Sequence, residues 1–336
     1  MRCIDNSKKR IKMNRRRILF SGLSVCMLFL ILFIGGCEKK SWKLTDTFEE
    51  YYADKKEKEN TEFQGMADDL AVLSREEADT PGYQSNDYAD LLINDSTGEV
   101  MESHRCFDKV YPASITKIMT ALLTLEHGNL DDMITLDHDI IVAEDGAVVS
   151  TLSKGDRVQV GEVFHTMLIK SANDCAIILA EYVAGSQEAF IDMMNEKAKE
   201  LGATHTHFEN TNGLHDPDHY TTAYDLYLIF KKVIEYDDFV DTVSMKDYTM
   251  TYVNAQGHEV REYMQSTNYY LLNAYPTPTG VVMFGGKTGT TSMAKSCLIL
   301  MTENEDKERF FSVVLGAKTK EALYQSMTDL LEKTVN

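Results

Sequence analysis

The sequence predicts an α/β domain of the α+β type, in which a sheet packs against helices and a helical subdomain is inserted. Strand-like segments lie near both ends of the folded part, and amphipathic helical patterns fill the region between them. A further helical pattern follows the last strand. Because an apolar sheet face must be covered by another layer, this order favours a sheet packed on helices.

A hairpin opens the folded part. Ala89–Ile93 is an apolar strand, Asn94–Gly98 is a cluster of turn residues, and Glu99–Glu102 forms the returning strand. Near the other end, Ser296–Met301 and Arg309–Leu315 are strand-like and are joined by a polar turn. Periodicity and end signals predict these helices: Ser114–His127, Gly161–Ile169, Asp174–Val183, Gln187–Leu201, Thr221–Ile234 and Thr319–Lys333.

The N-terminal segment has the layout of an export signal, since a basic stretch, Lys8–Arg17, precedes an uncharged apolar stretch, Ile18–Gly36. Its end, Ile34-Gly35-Gly36-Cys37, resembles the lipobox of bacterial lipoproteins. The resemblance implies cleavage before Cys37 and a lipid on its sulfur. An uncleaved signal anchor is the alternative, because the apolar run is nearly long enough to span a bilayer. Either arrangement places the bulk of the chain on the outer face of the cytoplasmic membrane.

These features divide the chain into three parts. Residues 1–36 are expected to be a signal peptide, and residues 37–87 a lipidated cysteine with a polar tether. Residues 88–336 are expected to form one domain, which is long enough for a large core. The tether assignment rests on a charge-rich composition that suits a spacer better than a core.

Charge and cysteine usage restrict the possible partners. The formal net charge is −19, and the leader contributes seven net positive charges, so the remainder carries −26. Such acidity argues against nucleic acid as a partner, because phosphates would be repelled. The folded part holds Cys106, Cys175 and Cys297 at spacings that suggest neither a metal site nor a disulfide framework. We therefore expect buried or partly buried free thiols.

The chemistry is concentrated in three short motifs. Ser114 and Lys117 form S-x-x-K, and positions three apart share one face of a helix. The lysine amine can therefore take the serine proton, provided that burial or a second cation keeps the amine neutral. Lys287 is the expected second cation. Each motif is weak alone, but their order along an exported chain is specific.

The other motif residues complete an acyl-transfer site. Ser171 can pass a proton to the leaving amine, and Asn173 can orient Lys117 or the substrate. For substrate binding, we expect Lys287, Thr288 and Thr290 to attract a carboxylate and Gly289 to let the substrate lie close to the strand. The backbone N–H groups of Ser114 and Thr290 are candidate oxyanion donors. This chemistry calls for no cofactor and no metal.

One further cluster could be read as a metal site. His215-Asp216-Pro217-Asp218-His219 has residue types that ligate zinc. The same residues are common in a structural loop rich in turn formers, and we favour that interpretation.

The three motifs and several longer segments resemble the low-molecular-mass D-alanyl-D-alanine carboxypeptidases of the penicillin-binding serine peptidases. The resemblance implies a β-lactamase/transpeptidase-like fold and removal of the terminal D-Ala from peptidoglycan stem pentapeptides through an acyl-enzyme on Ser114. It also implies that β-lactams acylate Ser114 as inhibitors. The similar segments are Gly155–Val158, Leu168–Asp174, Glu181–Ser186, Met194–Gly202, Phe208–Leu214 and His219–Asp225.

The sequence departs from the family pattern in three places. Val281–Gly286 differs from the usual residues before the third motif, and Thr290 stands where many members carry His or Tyr. Many members append a β-rich domain and a C-terminal amphipathic anchor, whereas the resemblance here ends near Lys333. We expect the N-terminal lipid to take over the anchoring.

Two other functions are alternatives to this interpretation. A class A β-lactamase needs Glu in an E-x-x-x-N loop, and no Glu between Asp174 and Gly286 has Asn four residues later. A non-catalytic surface lipoprotein that only binds wall peptides is the other alternative. The presence of every motif residue argues against it.

Overall fold

Within residues 70–73, 79–80 and 88–335, which a computed structural model describes, the chain forms nine strands and seven α-helices. The strands are β1 (Ala89–Asn94), β2 (Glu99–His104), β3 (Met133–Thr135), β4 (Arg157–Gln159), β5 (Asp247–Val253), β6 (Glu259–Gln265), β7 (Val282–Thr291), β8 (Lys295–Glu303) and β9 (Arg309–Ala317). The helices are α1 (Lys117–His127), α2 (Val160–Ile169), α3 (Asn173–Ala184), α4 (Gln187–Glu200), α5 (Ala223–Val233), α6 (Asp237–Ser244) and α7 (Lys320–Glu332).

The main sheet is antiparallel, in the order β2-β1-β9-β8-β7, and both of its faces are buried. Successive side chains of a strand point to opposite faces. Leu298 and Leu300 of β8 accordingly pack in one core cluster with residues of α7 such as Leu330. Ile299 and Met301 pack in the other cluster with the helical block, which consists of α1–α6. This double burial explains why the strands are continuous apolar runs in the sequence. Burial of each such side chain contributes about 1.5–3 kcal/mol.

A second, smaller sheet has the order β3-β4-β5-β6 and lies beside α2. Its main part is the β5–β6 hairpin, which the sequence analysis missed. The hairpin residues alternate in burial, with Met250, Tyr252 and Met264 buried among polar neighbours. That alternation is the ordinary signal of a half-buried strand, and the turn around Gly257, with φ of 83°, supports it.

The α+β prediction is confirmed by this architecture. The predicted strands and helices occur, and their ends are shifted by a few residues, as is usual for predicted element boundaries. Three helices begin with a side-chain cap: Ser186 accepts from the Ala189 N–H, Thr222 from the Asp225 N–H and Thr319 from the Ala322 N–H.

Two short pieces of the predicted tether lie against the domain. The Ala71 backbone N–H donates to the Tyr227 hydroxyl at 3.0 Å, and the Tyr224 hydroxyl donates to the Ala71 carbonyl at 2.8 Å. The Thr80 N–H donates to the Ser103 carbonyl at 2.8 Å. Packing against the domain therefore extends into the range assigned to the tether.

In the part of the chain that the structure describes, no helix is both long and apolar enough to cross a membrane. Cys106, Cys175 and Cys297 are buried thiols, as predicted, and no disulfide joins them.

Candidate active site

Ser114 lies on a tight turn at the start of α1. The turn, Ala113–Thr116, is a 3₁₀-helix, and the α-helix begins only at Lys117. The predicted helix began at Ser114, so this one turn is tighter than expected. Ala113 has φ of 50°, a conformation that is uncommon for residues other than glycine and that is often held in place at functional sites. The turn presents the Ser114 hydroxyl to the Lys117 amine.

Lys117 is fully buried, and its amine has three partners. The Nζ atom lies 3.0 Å from Ser114 Oγ, 2.8 Å from Asn173 Oδ1 and 2.7 Å from the Asn212 carbonyl oxygen. The last two atoms can only accept hydrogen bonds. A neutral amine would give its two hydrogens to them, which leaves its lone pair facing the Ser114 hydroxyl.

Two effects favour that neutral form. Burial lowers the pKa of Lys117 well below its ordinary value, and the charge of Lys287 lowers it further. Both effects are the ones expected from the sequence. A base within hydrogen-bond distance of an alcohol, with its pKa lowered, is the arrangement that activates a serine nucleophile.

The second motif contributes Ser171 and Asn173 from the junction between α2 and α3. Ser171 has φ of 65°, so a second strained residue lies in the site. Asn173 is the first residue of α3, and its Nδ2 donates to the Val148 carbonyl at 3.0 Å while its Oδ1 accepts from Lys117. These two bonds fix the orientation of the amide.

The third motif lies on β7, the edge strand of the main sheet. Lys287 is buried, and its Nζ donates to Ser171 Oγ and to the Thr288 carbonyl, both at 2.9 Å. Burial lowers the pKa of Lys287 to about 7. The second and third motifs are therefore joined by a direct contact.

The unusual residues before the third motif do not disturb its register. The β7–β8 pairing shifts between Met283 and Gly285, and it then continues regularly from Gly286 to Thr291. Gly289 lies against the nucleophile turn, which is the 3₁₀ turn Ala113–Thr116. A Cβ atom on Gly289 would be 3.1 Å from the Ser114 nitrogen and 2.9 Å from the Pro112 carbonyl oxygen. Only glycine permits this close approach.

The motif residues meet at one open cleft of about 330 Å³. Lys117 and Lys287 lie beneath its surface, and both are almost fully buried. The cleft is lined by the motif residues Ser114, Ser171, Asn173, Thr288, Gly289 and Thr290. The structure thus brings these predicted residues together, whereas their catalytic and binding roles stay predictions. Cys37 lies outside the described residues.

Several contacts of the site were not predicted. The Asn212 carbonyl, which accepts from Lys117, belongs to the family-like segment Phe208–Leu214, to which no role was given. Thr267 Oγ1 lies 2.5 Å from Thr288 Oγ1 and also lines the cleft. Backbone carbonyls carry no residue-type signal, so only the resemblance of the segment pointed to them.

Comparison with known proteins identifies the family. The D-alanyl-D-alanine carboxypeptidase model, peptidase family S11, matches residues 75–319. DacF of Bacillus subtilis is 33% identical over 250 residues, which are 72% of this chain and 60% of the relative. DacC of Escherichia coli is 34% identical over 72% of this chain and 59% of its own length. The chain thus spans about 60% of the length of these curated relatives.

Solved structures give the same fold. The Streptomyces K15 DD-transpeptidase superposes with a TM-score of 0.68 at 25% identity, over 75% of this chain and 98% of that one. Penicillin-binding protein D2 of Listeria monocytogenes, in its cefotaxime-bound form, gives a TM-score of 0.62 at 26% identity, over 75% and 98% of the two chains.

Proposed function

The chain belongs to the D-alanyl-D-alanine carboxypeptidase family, and we propose that it is a serine-type carboxypeptidase acting on peptidoglycan stem peptides. In this proposal it removes the terminal D-Ala of a stem pentapeptide through an acyl-enzyme on Ser114. Support comes from the family match over residues 75–319 and from the names of the curated relatives.

A single observation carries the proposal. Lys117 Nζ lies 3.0 Å from Ser114 Oγ, while Asn173 and Asn212 supply acceptors that align the two remaining amine hydrogens. This geometry prepares a neutral lysine to act as a general base toward one hydroxyl.

The reaction would proceed in two halves. Lys117 takes the proton of Ser114, whose Oγ bonds to the carbonyl carbon of the penultimate D-Ala. The peptide C–N bond breaks, and the leaving amine receives a proton through the site, with Ser171 as the candidate relay. A water then adds to the ester carbonyl and passes a proton through the site to Ser114 Oγ. The ester C–O bond breaks, which releases the shortened peptide and restores the Ser114 hydroxyl. The backbone N–H groups of Ser114 and Thr290 are the proposed donors to the developing oxyanion.

The same site is proposed to react with β-lactams, whose strained amide would acylate Ser114 in the first half-reaction. The cefotaxime-bound form of the Listeria structural neighbour supports this extension.

The direct test is mass spectrometry of a synthetic pentapeptide ending in D-Ala-D-Ala after incubation with the purified protein. Loss of one alanine residue is expected, and Ser114→Ala should abolish it. The C-terminal amide of the same peptide is the matched control for carboxylate recognition and should react more slowly. An intact pentapeptide after incubation with the wild-type protein would contradict the proposal, and rapid hydrolysis of a β-lactam would favour a β-lactamase.

We also propose that the protein is a lipoprotein on the outer face of the cytoplasmic membrane. The support is the sequence Ile34–Cys37 behind a basic and apolar leader. Labelling of cells with a fatty-acid analogue should mark the wild type and Cys26→Ala, the matched control within the leader, but not Cys37→Ala. Equal labelling of both variants would instead favour the uncleaved anchor.

A further inference from the structure

His219 belongs to the loop that the sequence analysis compared with a metal site, and it lies buried beneath the nucleophile turn. Only 2% of its surface is exposed, and its ring packs edge-on against Phe208. Its Nε2 lies 2.8 Å from Thr116 Oγ1, and its Nδ1 lies 3.1 Å from the Glu209 backbone nitrogen.

The two contacts of the ring define where its proton lies. The Glu209 backbone N–H can only donate, so Nδ1 must be the unprotonated acceptor. The proton of the neutral ring is then on Nε2, which donates to Thr116 Oγ1. The Thr116 hydroxyl donates in turn to the Ala113 carbonyl at 2.8 Å. Burial lowers the pKa of His219 to about 4, against a raising effect of Asp216, which is consistent with a neutral ring.

The last acceptor in this series of hydrogen bonds is the Ala113 carbonyl, which belongs to the nucleophile turn. The Ala113 carbonyl and the Ser114 N–H belong to one planar peptide unit, on opposite sides of it. Holding the carbonyl therefore fixes the direction of the Ser114 N–H, which is a candidate oxyanion donor. Gly213 packs on the same carbonyl so closely that a Cβ atom would lie 1.9 Å from the oxygen. The positive φ of Ala113 makes such external support necessary.

We propose that His219 is a positioning residue, which acts through Thr116 to hold the Ala113–Ser114 peptide plane for oxyanion binding. The inference rests on the proposed acyl-enzyme function. It assigns to this histidine neither a metal nor contact with the substrate.

The test uses four variants of the full chain and the second-order rate constant of acylation by penicillin. His219→Ala removes the donor to Thr116 and should lower that constant by about tenfold or more, because a misdirected oxyanion donor weakens transition-state binding. His219→Gln places an N–H near the position of Nε2 and should recover most of the rate. Thr116→Val should match His219→Ala, and the double variant should be no slower than either single variant.

The kinetics of peptide hydrolysis distinguish a positioning role of His219 from a purely structural one. The loss in His219→Ala should appear in kcat with KM nearly unchanged, at a temperature where circular dichroism shows the variant to be folded. Wild-type acylation rates in His219→Ala, multiplicative losses in the double variant, or no recovery in His219→Gln would each overturn the inference.

Nitrogen-15 NMR of labelled histidine tests the hydrogen-bond chain apart from activity. A protonated Nε2 and an unprotonated Nδ1 are expected for His219 near neutral pH, and the opposite tautomer would overturn the inference. If the wild-type protein is not acylated at all, the proposed function fails, and the NMR result still decides whether His219 holds Thr116.

Discussion

Lys117 and Lys287 are two buried amines in one site, and the charge of Lys287 acts on Lys117. Lys117 has acceptors for its hydrogens, while Lys287 is held by Ser171 Oγ and the Thr288 carbonyl. Burial lowers the pKa of both, and the charge of Lys287 also lowers the pKa of Lys117. We therefore expect Lys287 to tune the base in addition to its predicted role in carboxylate binding.

This coupling predicts the pH profile of acylation. The rate constant should rise with pH as Lys117 loses its proton, because only the neutral amine can accept the proton of Ser114. In Lys287→Gln the neighbouring charge is lost and the pKa of Lys117 rises. The rising limb should then move to higher pH, and the rate constant measured on that limb should fall.

Penicillin acylation rates measured between pH 5 and pH 10 check this expectation. Lys295→Gln is the matched control, because Lys295 is an exposed lysine next to the same strand. A rising limb that stays in place in Lys287→Gln would mean that Lys287 does not tune the base.

At the scale of elements, one wall of the cleft belongs to a loop, residues 144–151. Successive residues of this loop are held by hydrogen bonds. The Val149 carbonyl accepts from Lys170 Nζ at 2.6 Å, and Ser150 donates through its N–H to Asp174 at 2.9 Å. The Thr151 N–H and hydroxyl donate to Glu262 Oε2 at 2.9 and 2.6 Å. Glu262, on β6, also forms an ion pair with Lys170 at 2.5 Å. The small sheet thus supports the loop and the residue before Ser171.

Removal of this carboxylate should loosen the loop. Glu262→Ala removes hydrogen bonds to a charged group, which contribute about 1.5–3 kcal/mol to stability. We therefore expect a lower kcat/KM for the pentapeptide in this variant. Limited proteolysis should cut residues 144–151 faster in this variant. Glu259→Ala, an exposed position of the same strand, is the matched control and should behave as the wild type. Equal kinetics and cleavage in Glu262→Ala and the control would show that β6 does not support the site.

The predicted strands and the missed hairpin differ in how completely their side chains are buried. The central strands β8 and β9 are buried on both faces, and their unbroken apolar runs are visible in the sequence. The β5–β6 hairpin is half-exposed and rich in Thr, Tyr and Glu. The alternation of apolar and polar residues along its strands is therefore a weaker signal. The 3₁₀ turn at Ser114 depends on contacts with Gly213 and Gly289 from distant segments, which local propensity does not report.

At the scale of the whole molecule, the site forms where the main sheet meets the helical block. Its motif residues come from the start of α1, the α2–α3 junction and β7. Residue types and their order were enough to predict this set. The carbonyls of Asn212 and Val148, which align Lys117 and Asn173, could not be predicted, because any residue can supply a backbone carbonyl.

The burial of Lys287 should reduce the stability of the domain. Lys287 has a pKa of about 7 in the folded state and 10.5 as its ordinary value, so the unfolded chain binds more protons between these pH values. The contribution of Lys287 to the free energy of unfolding therefore rises with pH across that window. Lys287→Met should be more stable than the wild type at pH 7 by about 0.5–2 kcal/mol, with a smaller gain near pH 10.

Urea unfolding of both proteins at pH 7 and pH 10 measures this difference, and Lys295→Met is the control for loss of an exposed lysine. A constant difference at the two pH values would show that the buried amine is not its source.

The proposed function requires that Ser114 is the residue that becomes acylated. Intact-protein mass spectrometry after incubation with penicillin, followed by peptide mapping, tests it most directly. We expect one adduct per chain, on the peptide that contains Ser114, and no adduct in Ser114→Ala. An adduct that persists in Ser114→Ala, or that maps to another residue, would contradict it.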